Sequence, residues 1–264
     1  MVSHDKLLLR WNILLGAGLL MLLAAIGAVI YSDNKKNTSS QVSPHLIQTL
    51  TIQRPDYAEI RLQRLDEQWL VTAPCELPVN QQRLEPLLGA LMPTTHSYAA
   101  NEVDLEAAGL NDPLAVLFLN DSQISVGNTD LNGERRYIKR DDRVEFAPEW
   151  ILSLINGGLS AIAQLQVFNS PISSIQILDD SKQHFDVPTE SITKWQSLSA
   201  QQIVSWPLQT SDIPLIEQSV EVTHDGVNRQ LELYTYEQFA ALRFEDEDCA
   251  FILSTDSLPD SSFH

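Results

Sequence analysis

The chain has 264 residues, 17 Lys+Arg against 35 Asp+Glu, a formal net charge of −18 and 44% hydrophobic residues. That hydrophobic fraction excludes wholesale disorder, and the length suffices for one or two packed units. Two cysteines exclude a disulfide framework and a four-thiolate zinc site, and the acidity argues against nucleic acid as a partner, because a duplex repels this net charge.

From Trp11 to Tyr31 the chain is apolar and uncharged. About 20 helical residues rising about 1.5 Å each cross a hydrocarbon core of about 30 Å. Trp11 and Tyr31 stand at the two ends, where amphipathic rings favour the headgroup region. Little chain precedes this stretch and a large acidic portion follows it. The pattern predicts a signal-anchor over 11–31, with 1–10 cytoplasmic and the remainder exported. A cleaved signal peptide competes, since Ala25-Ile26-Gly27 offers a small-x-small site, but Val29-Ile30-Tyr31 carries the apolar run past it. Residues 32–45 are polar and read as a linker. Beyond residue 36 the acidity deepens, because Lys6, Arg10, Lys35 and Lys36 fall before that point with only Asp5 and Asp33. An anionic membrane surface would repel such a domain.

Alternating runs predict strands at 47–52, 59–65 and 69–72, the last two a hairpin turning at Asp66-Glu67-Gln68. Pro74 and Pro78 close the hairpin. Asn80 is placed to N-cap a helix over 81–92, with Leu84, Leu87, Leu88 and Leu91 at helical spacing. A short helix over 104–108 should stop at Gly109. Strands follow at 114–119, 123–126, 136–139 and 144–146. The apolar stretch 150–165 contains Gly157-Gly158 and is either a broken helix or a helix followed by a turn. In the second half, 174–178 and 184–187 form a hairpin, 190–204 a helix, and 220–223, 229–236, 239–244 and 250–253 strands. The order strand, strand, helix, several strands thus recurs at about 120 residues, the pattern of a structural duplication into two tandem ββα-βββ-type repeats, 46–165 and 166–264. Both halves read as α+β with antiparallel sheets and few helices.

Asn128-Thr129-Asp130-Leu131-Asn132-Gly133 has oxygen ligands and glycine at the first six positions of an EF-hand loop. Position twelve is Lys139 rather than Glu, so a β-hairpin with Asn132-Gly133 in a type I′ turn is preferred. Glu245-Asp246-Glu247-Asp248 reads as a solvated turn before a cation site. The histidines are dispersed, and nucleophile-elbow, Walker and dinucleotide motifs are lacking. Cys75 and Cys249 are read either as a disulfide or as two separate buried thiols. Trp69 and Trp195 fit core positions. No catalytic, cofactor-binding or metal-ligating residue is assigned, and no cofactor is expected.

Trp69-Leu70-Val71-Thr72-Ala73-Pro74, Asp104-Leu105-Glu106-Ala107-Ala108-Gly109-Leu110-Asn111-Asp112-Pro113, Val126-Gly127 and Tyr137-Ile138 together resemble the DUF4340 domain family of uncharacterised bacterial envelope proteins. The resemblance covers roughly residues 46–150; members typically carry an aromatic residue where this chain has Ala108. It implies a single transmembrane helix and an exported α+β domain, and association of some members with ABC-type transporter or gliding-type systems. The expectation is therefore a non-enzymatic accessory or scaffold protein of the bacterial inner membrane. It would be single-pass, with its C-terminal domain in the periplasm and protein partners in the envelope. The alternative is a periplasmic module binding a small ligand, lipid or envelope polymer between its halves.

Overall fold

From Thr49 onward apolar and polar side chains alternate in short runs, and these runs form strands with one face buried. The computed structural model describes residues 46–178, 183–208, 210 and 212–259. The chain divides into two units, Met1–Ser43 and Pro44–His264. The predicted anchor 11–31 and linker 32–45 lie outside the described residues. Among the described residues, no helix is long and apolar enough to cross a membrane.

The first half supplies β1 (Thr49–Gln53), β2 (Ile60–Leu65), β3 (Gln68–Ala73), β4 (Leu77–Pro78), α1 (Gln81–Ala90), β5 (Tyr98–Ala99), β6 (Ala115–Leu119), β7 (Ser122–Thr129), β8 (Arg135–Arg140) and β9 (Arg143–Pro148). Two short helices follow, α2 (Ile151–Asn156) and α3 (Gly158–Ile162). The second half supplies β10 (Ile172–Leu178), β11 (His184–Asp186), α4 (Thr189–Gln196), β12 (Gln202–Ser205), β13 (Ile216–His224), β14 (Val227–Thr235), β15 (Ala240–Phe244) and β16 (Cys249–Leu253). Each half forms one sheet with antiparallel pairing, so the protein is mostly antiparallel sheet with few helices.

The first sheet runs β4-β3-β2-β1-β6-β7-β8-β9-β5 and the second β11-β10-β13-β14-β15-β16-β12. With β3 and β4 set aside, the two orders coincide strand for strand, and in each half a helix precedes the strand that ends on the far edge. The inner faces share one core, in which Leu50, Leu62 and Leu117 of the first sheet join Ile177, Val220 and Leu242 of the second. Trp69 and Trp195 are buried in it, as their spacing predicts. The β-bridges Val79↔Ala163 and Gln166↔Ser199 flank the passage from one half to the other.

Several local expectations are corrected. Residues 104–108 form a turn, not a helix: Asp104 Oδ1 accepts from the amides of Glu106 and Ala107, and Gly109 at φ +67 reverses the chain. Gly127 lies beneath this turn, and a Cβ there would meet the Ala108 carbonyl oxygen at 2.2 Å. Two pieces of the family-like pattern thus meet in space. The helix predicted over 190–204 ends at Gln196, because Ser197 Oγ turns back to the Lys194 carbonyl and the β-branched Ile203 and Val204 enter β12 instead. The stretch 150–165 is a broken helix, interrupted at Gly158 with φ +60. At the β7–β8 connection Gly133 takes φ +74 while Asn132 does not enter positive φ, so the turn is not type I′. Positive φ at both central residues occurs instead at Asp66-Glu67, between β2 and β3, and at Asp225-Gly226, between β13 and β14.

Cys75, between β3 and β4, is disulfide-bonded to Cys249 at the start of β16, with a Cα–Cα distance of 5.9 Å and a sequence separation of 174. The bond ties the first sheet to the second. Replacing both cysteines by serine should lower stability by about 2–5 kcal/mol, because so long a loop is freed in the unfolded chain. Urea unfolding of the oxidised protein and the double variant measures this. Gly127→Ala should cost about 1–3 kcal/mol through the clash with the Ala108 carbonyl, and the same unfolding curves read it.

Candidate functional site: the groove along β12

β12 is the last strand of the second sheet, paired on one side with β16. Ile203 turns its side chain into the shared core, whereas Val204 points to the opposite face among Tyr236, Ala241 and Ala250. Its free edge faces the first half. There Ser160 of α3 acts as a surrogate strand: its hydroxyl accepts from the Ile203 amide at 2.9 Å and donates to the Ile203 carbonyl at 3.3 Å. The Trp206 amide pairs inward with the Asp248 carbonyl, so Ser205, like Ile203, directs its backbone groups outward. Ser160 covers the edge at Ile203, and the edge continues past it to Ser205.

Two hollows adjoin this edge. One, of about 250 Å³, lies between the halves and is lined by Arg54, Tyr57, Pro74, Asn156, Gly158 and Ser205, among others. The other, of about 480 Å³, is mainly apolar, with Val204, Pro207, Leu208, Phe239 and Ile252 around it. Gln202, Val204 and Ser205 belong to both, so the hollows form one groove along β12. The internal correspondence gives the apolar hollow a counterpart. On the first sheet, the outer face at Val144 of β9 is covered by Val103, Leu105, Ala108 and Leu110 from the segment after β5. On the second sheet, the equivalent face at Ala250 of β16 is covered by Trp206 and Leu208 from the segment after β12, with the hollow beside them, and Ile213 and Leu215 farther along that segment are 84% and 65% exposed.

Arg54 stands at the polar end. Its Nη1 donates to the Asn156 carbonyl at 2.9 Å, and its guanidinium lies 4.3 Å from the centre of the Tyr57 ring. Nε is buried and, among the described residues, has no hydrogen-bond partner. Burial lowers the pKa of this group from its ordinary value, opposed by Tyr57. Gly158 makes room: a Cβ there would come within 3.1 Å of Nη2. Arg61, Arg135, Arg136, Arg229 and Arg243 each pair with a carboxylate. Among the described residues, Arg54 has no such counter-ion; Arg83 and Arg143 also lack one but are exposed, and Arg140, bonded to the Leu91 carbonyl, has Glu145 and Asp141 nearby.

Trp206, at the end of β12, stacks on Tyr234 at 4.9 Å and lies 5.4 Å from the Arg243 guanidinium. Glu232 accepts from Arg243 and from the Tyr234 hydroxyl. The bond from Arg243 is the main cause that holds the Glu232 carboxyl below its ordinary range. Burial, then the bond to Glu232, pushes the Tyr234 phenol up to about 12. This array steadies the far end of the groove.

The motifs singled out in sequence do not converge here. Asn128 Nδ2 donates to the Ala107 carbonyl and so holds the 104–109 turn, while Asp130 Oδ1 accepts from the amides of Glu134 and Arg135 and holds its own turn. Glu245–Asp248 form the β15–β16 connection, but Glu247 is not simply solvated: it pairs with Arg229 and accepts from the Glu76 amide across the halves. Ser170 Oγ lies 3.0 Å from His224 Nδ1, yet His224 Nε2 is buried and, among the described residues, has no partner, so none of their carboxylates orients the ring. Among the described residues, no group of three His, Cys, Asp or Glu is placed to hold a metal ion.

The fold and groove together define a two-sheet antiparallel domain with an open edge strand between its halves. No family model, curated protein or solved structure matches the chain.

Arg54 and the edge of β12 carry no sequence motif. Arg54-Pro55 marks only a strand end, and Ile203-Val204 reads as the tail of a helix. Ser160→Ala should leave the Ile203 amide without a partner and lower stability by about 1–3 kcal/mol. Ser160→Thr, which keeps the hydroxyl, should cost less, and chemical denaturation of both variants decides it.

Proposed function

We propose that the protein is a non-enzymatic, membrane-anchored accessory protein of the bacterial envelope, whose domain captures a partner polypeptide by strand addition along β12. The observation that carries this reading is the outer edge of β12 beyond Ser160, with Ser205 directed into a groove between the halves. An edge strand offers a row of amides and carbonyls that another extended chain can pair with, and adjoining pockets take its alternate side chains.

The uncharged stretch 11–31 supports the anchor, and the resemblance to the DUF4340 family supports an exported domain at the inner membrane. The Cys75–Cys249 bond supports an oxidising compartment such as the periplasm. The matching strand orders support descent of the two halves from a duplicated unit. A tether raises the domain's effective concentration near membrane partners, transporter components among them, so a modest groove suffices. A lipid or small ligand between the halves is the competing reading, favoured by the apolar lining of the larger hollow. It leaves the outward groups of Ser205 without complementary partners, which a polypeptide backbone supplies.

A photo-crosslinking residue at Gln202 in the full-length protein, in its native membranes, tests this. The expected result is one defined polypeptide adduct that Ser205→Pro abolishes while the unfolding midpoint holds, since proline removes an outward amide that an edge strand can spare. An adduct unaffected by Ser205→Pro, or adducts only at control sites on other edges, would overturn the reading.

A further inference from the structure

We propose that Arg54 anchors the free C-terminal carboxylate of the polypeptide that docks on β12. The inference rests on the strand-addition reading and adds what ends the bound strand.

The guanidinium is a planar fork of five N–H donors suited to bidentate pairing with a carboxylate. In Arg54 one donor goes to the Asn156 carbonyl, and among the described residues none meets a carboxylate. This holds in a chain with 35 acidic residues against 17 basic ones, where counter-ions are in excess. The fork is also held in place: the Tyr57 ring lies on one face, and Gly158 allows the close approach of Nη2. A charge fixed in a half-buried cleft without a counter-ion is set to receive an anion rather than to stabilise its own fold.

The position of Arg54 selects the kind of anion. It shares its hollow with Ser205 on the outer edge of β12, and the apolar hollow adjoins it at Gln202, Val204 and Ser205. A ligand filling both needs a carboxylate at one end, backbone donors and acceptors opposite Ser205, and apolar side chains next along the chain. A polypeptide with a free C-terminus has all three. A fatty acid has the first and an apolar body, but nothing to pair with the strand edge. The acidity of the surrounding protein disfavours anions in general, so recognition of this one depends on a local cation.

The test uses the full-length protein in detergent and a displayed library of random eight-residue peptides with free C-termini. Selected peptides are then synthesised both as C-terminal acids and as amides. Apolar residues just before the C-terminus should be enriched, and the acid should bind about tenfold or more tightly than the amide. Arg54→Gln should remove that difference by weakening the acid alone, and Arg54→Lys, which keeps charge but not the fork, should fall between. The acid–amide comparison on the unaltered protein stands even if an Arg54 variant folds poorly. Equal binding of acid and amide, both lost in Ser205→Pro, would overturn the role of Arg54 and leave strand addition standing. Failure to select any peptide, or selection of peptides indifferent to Ser205→Pro, would overturn strand addition itself. Palmitate that displaces the selected peptides and depends equally on Arg54 would assign the site to a lipid carboxylate and overturn the inference.

Discussion

An open sheet with one apolar face needs something to lie against, and neither half of this domain carries enough helix to cover its own. α1 has 10 residues and α4 has 8, against sheets of nine and seven strands. The inner faces therefore share one core with the helices, in which Leu84, Leu87, Ile151, Ile155 and Trp195 join the strand residues, and the rest of the architecture follows from that requirement. The segment 151–167 must cross from one sheet to the other, which places α2 and α3 at the seam. Cys75 and Cys249 approach closely enough to bond, and Glu247 can reach both Arg229 and the Glu76 amide.

The same requirement produces the groove. Two sheets that share one core still have edges, and the edge at β12 comes against the seam rather than into solvent alone. Its outward groups at Ile203 are satisfied by one hydroxyl, that of Ser160, which does the work of a neighbouring strand for a single residue. The seam also brings Arg54 from the end of β1 toward Gly158. A guanidinium, a strand edge and an apolar hollow are thus adjacent because of how the halves pack, although they lie far apart in the chain.

The internal correspondence sharpens what is unusual about this place. With β3 and β4 set aside the strand orders of the two sheets coincide, so each strand of the second half has a counterpart in the first. Val103, Leu105, Ala108 and Leu110 cover the outer face beside β9, whereas the face beside β16 keeps a hollow and has exposed Ile213 and Leu215 nearby. Both halves lay the segment after the far-edge strand on this face, and in the second half a hollow remains beside it.

Much of this was legible in the sequence. Period-two alternation located most of the strands, helical spacing of Leu84, Leu87 and Leu88 gave α1, and the order of elements suggested the repeat, because these signals are local and set by burial of one face. Gly109 announced its left-handed conformation for the same local reason. The end of the helix in the second half was misread, since Ile203 and Val204 continue an apolar spacing that suits a helix until a partner strand is available. Asn132-Gly133 was misread in the other direction, because a dipeptide preference does not fix a turn whose amides are already held by Asp130.

By itself, then, the sequence determined an acidic, sheet-rich α+β chain with a long uncharged apolar stretch near its start and two candidate repeats. Pairing of Cys75 with Cys249, the exposure of β12 and, among the described residues, the lack of a carboxylate partner for Arg54 were decided by tertiary structure alone. The physical reason is range: periodicity and turn chemistry act over a few residues, whereas these three features depend on which surfaces two sheets bury together.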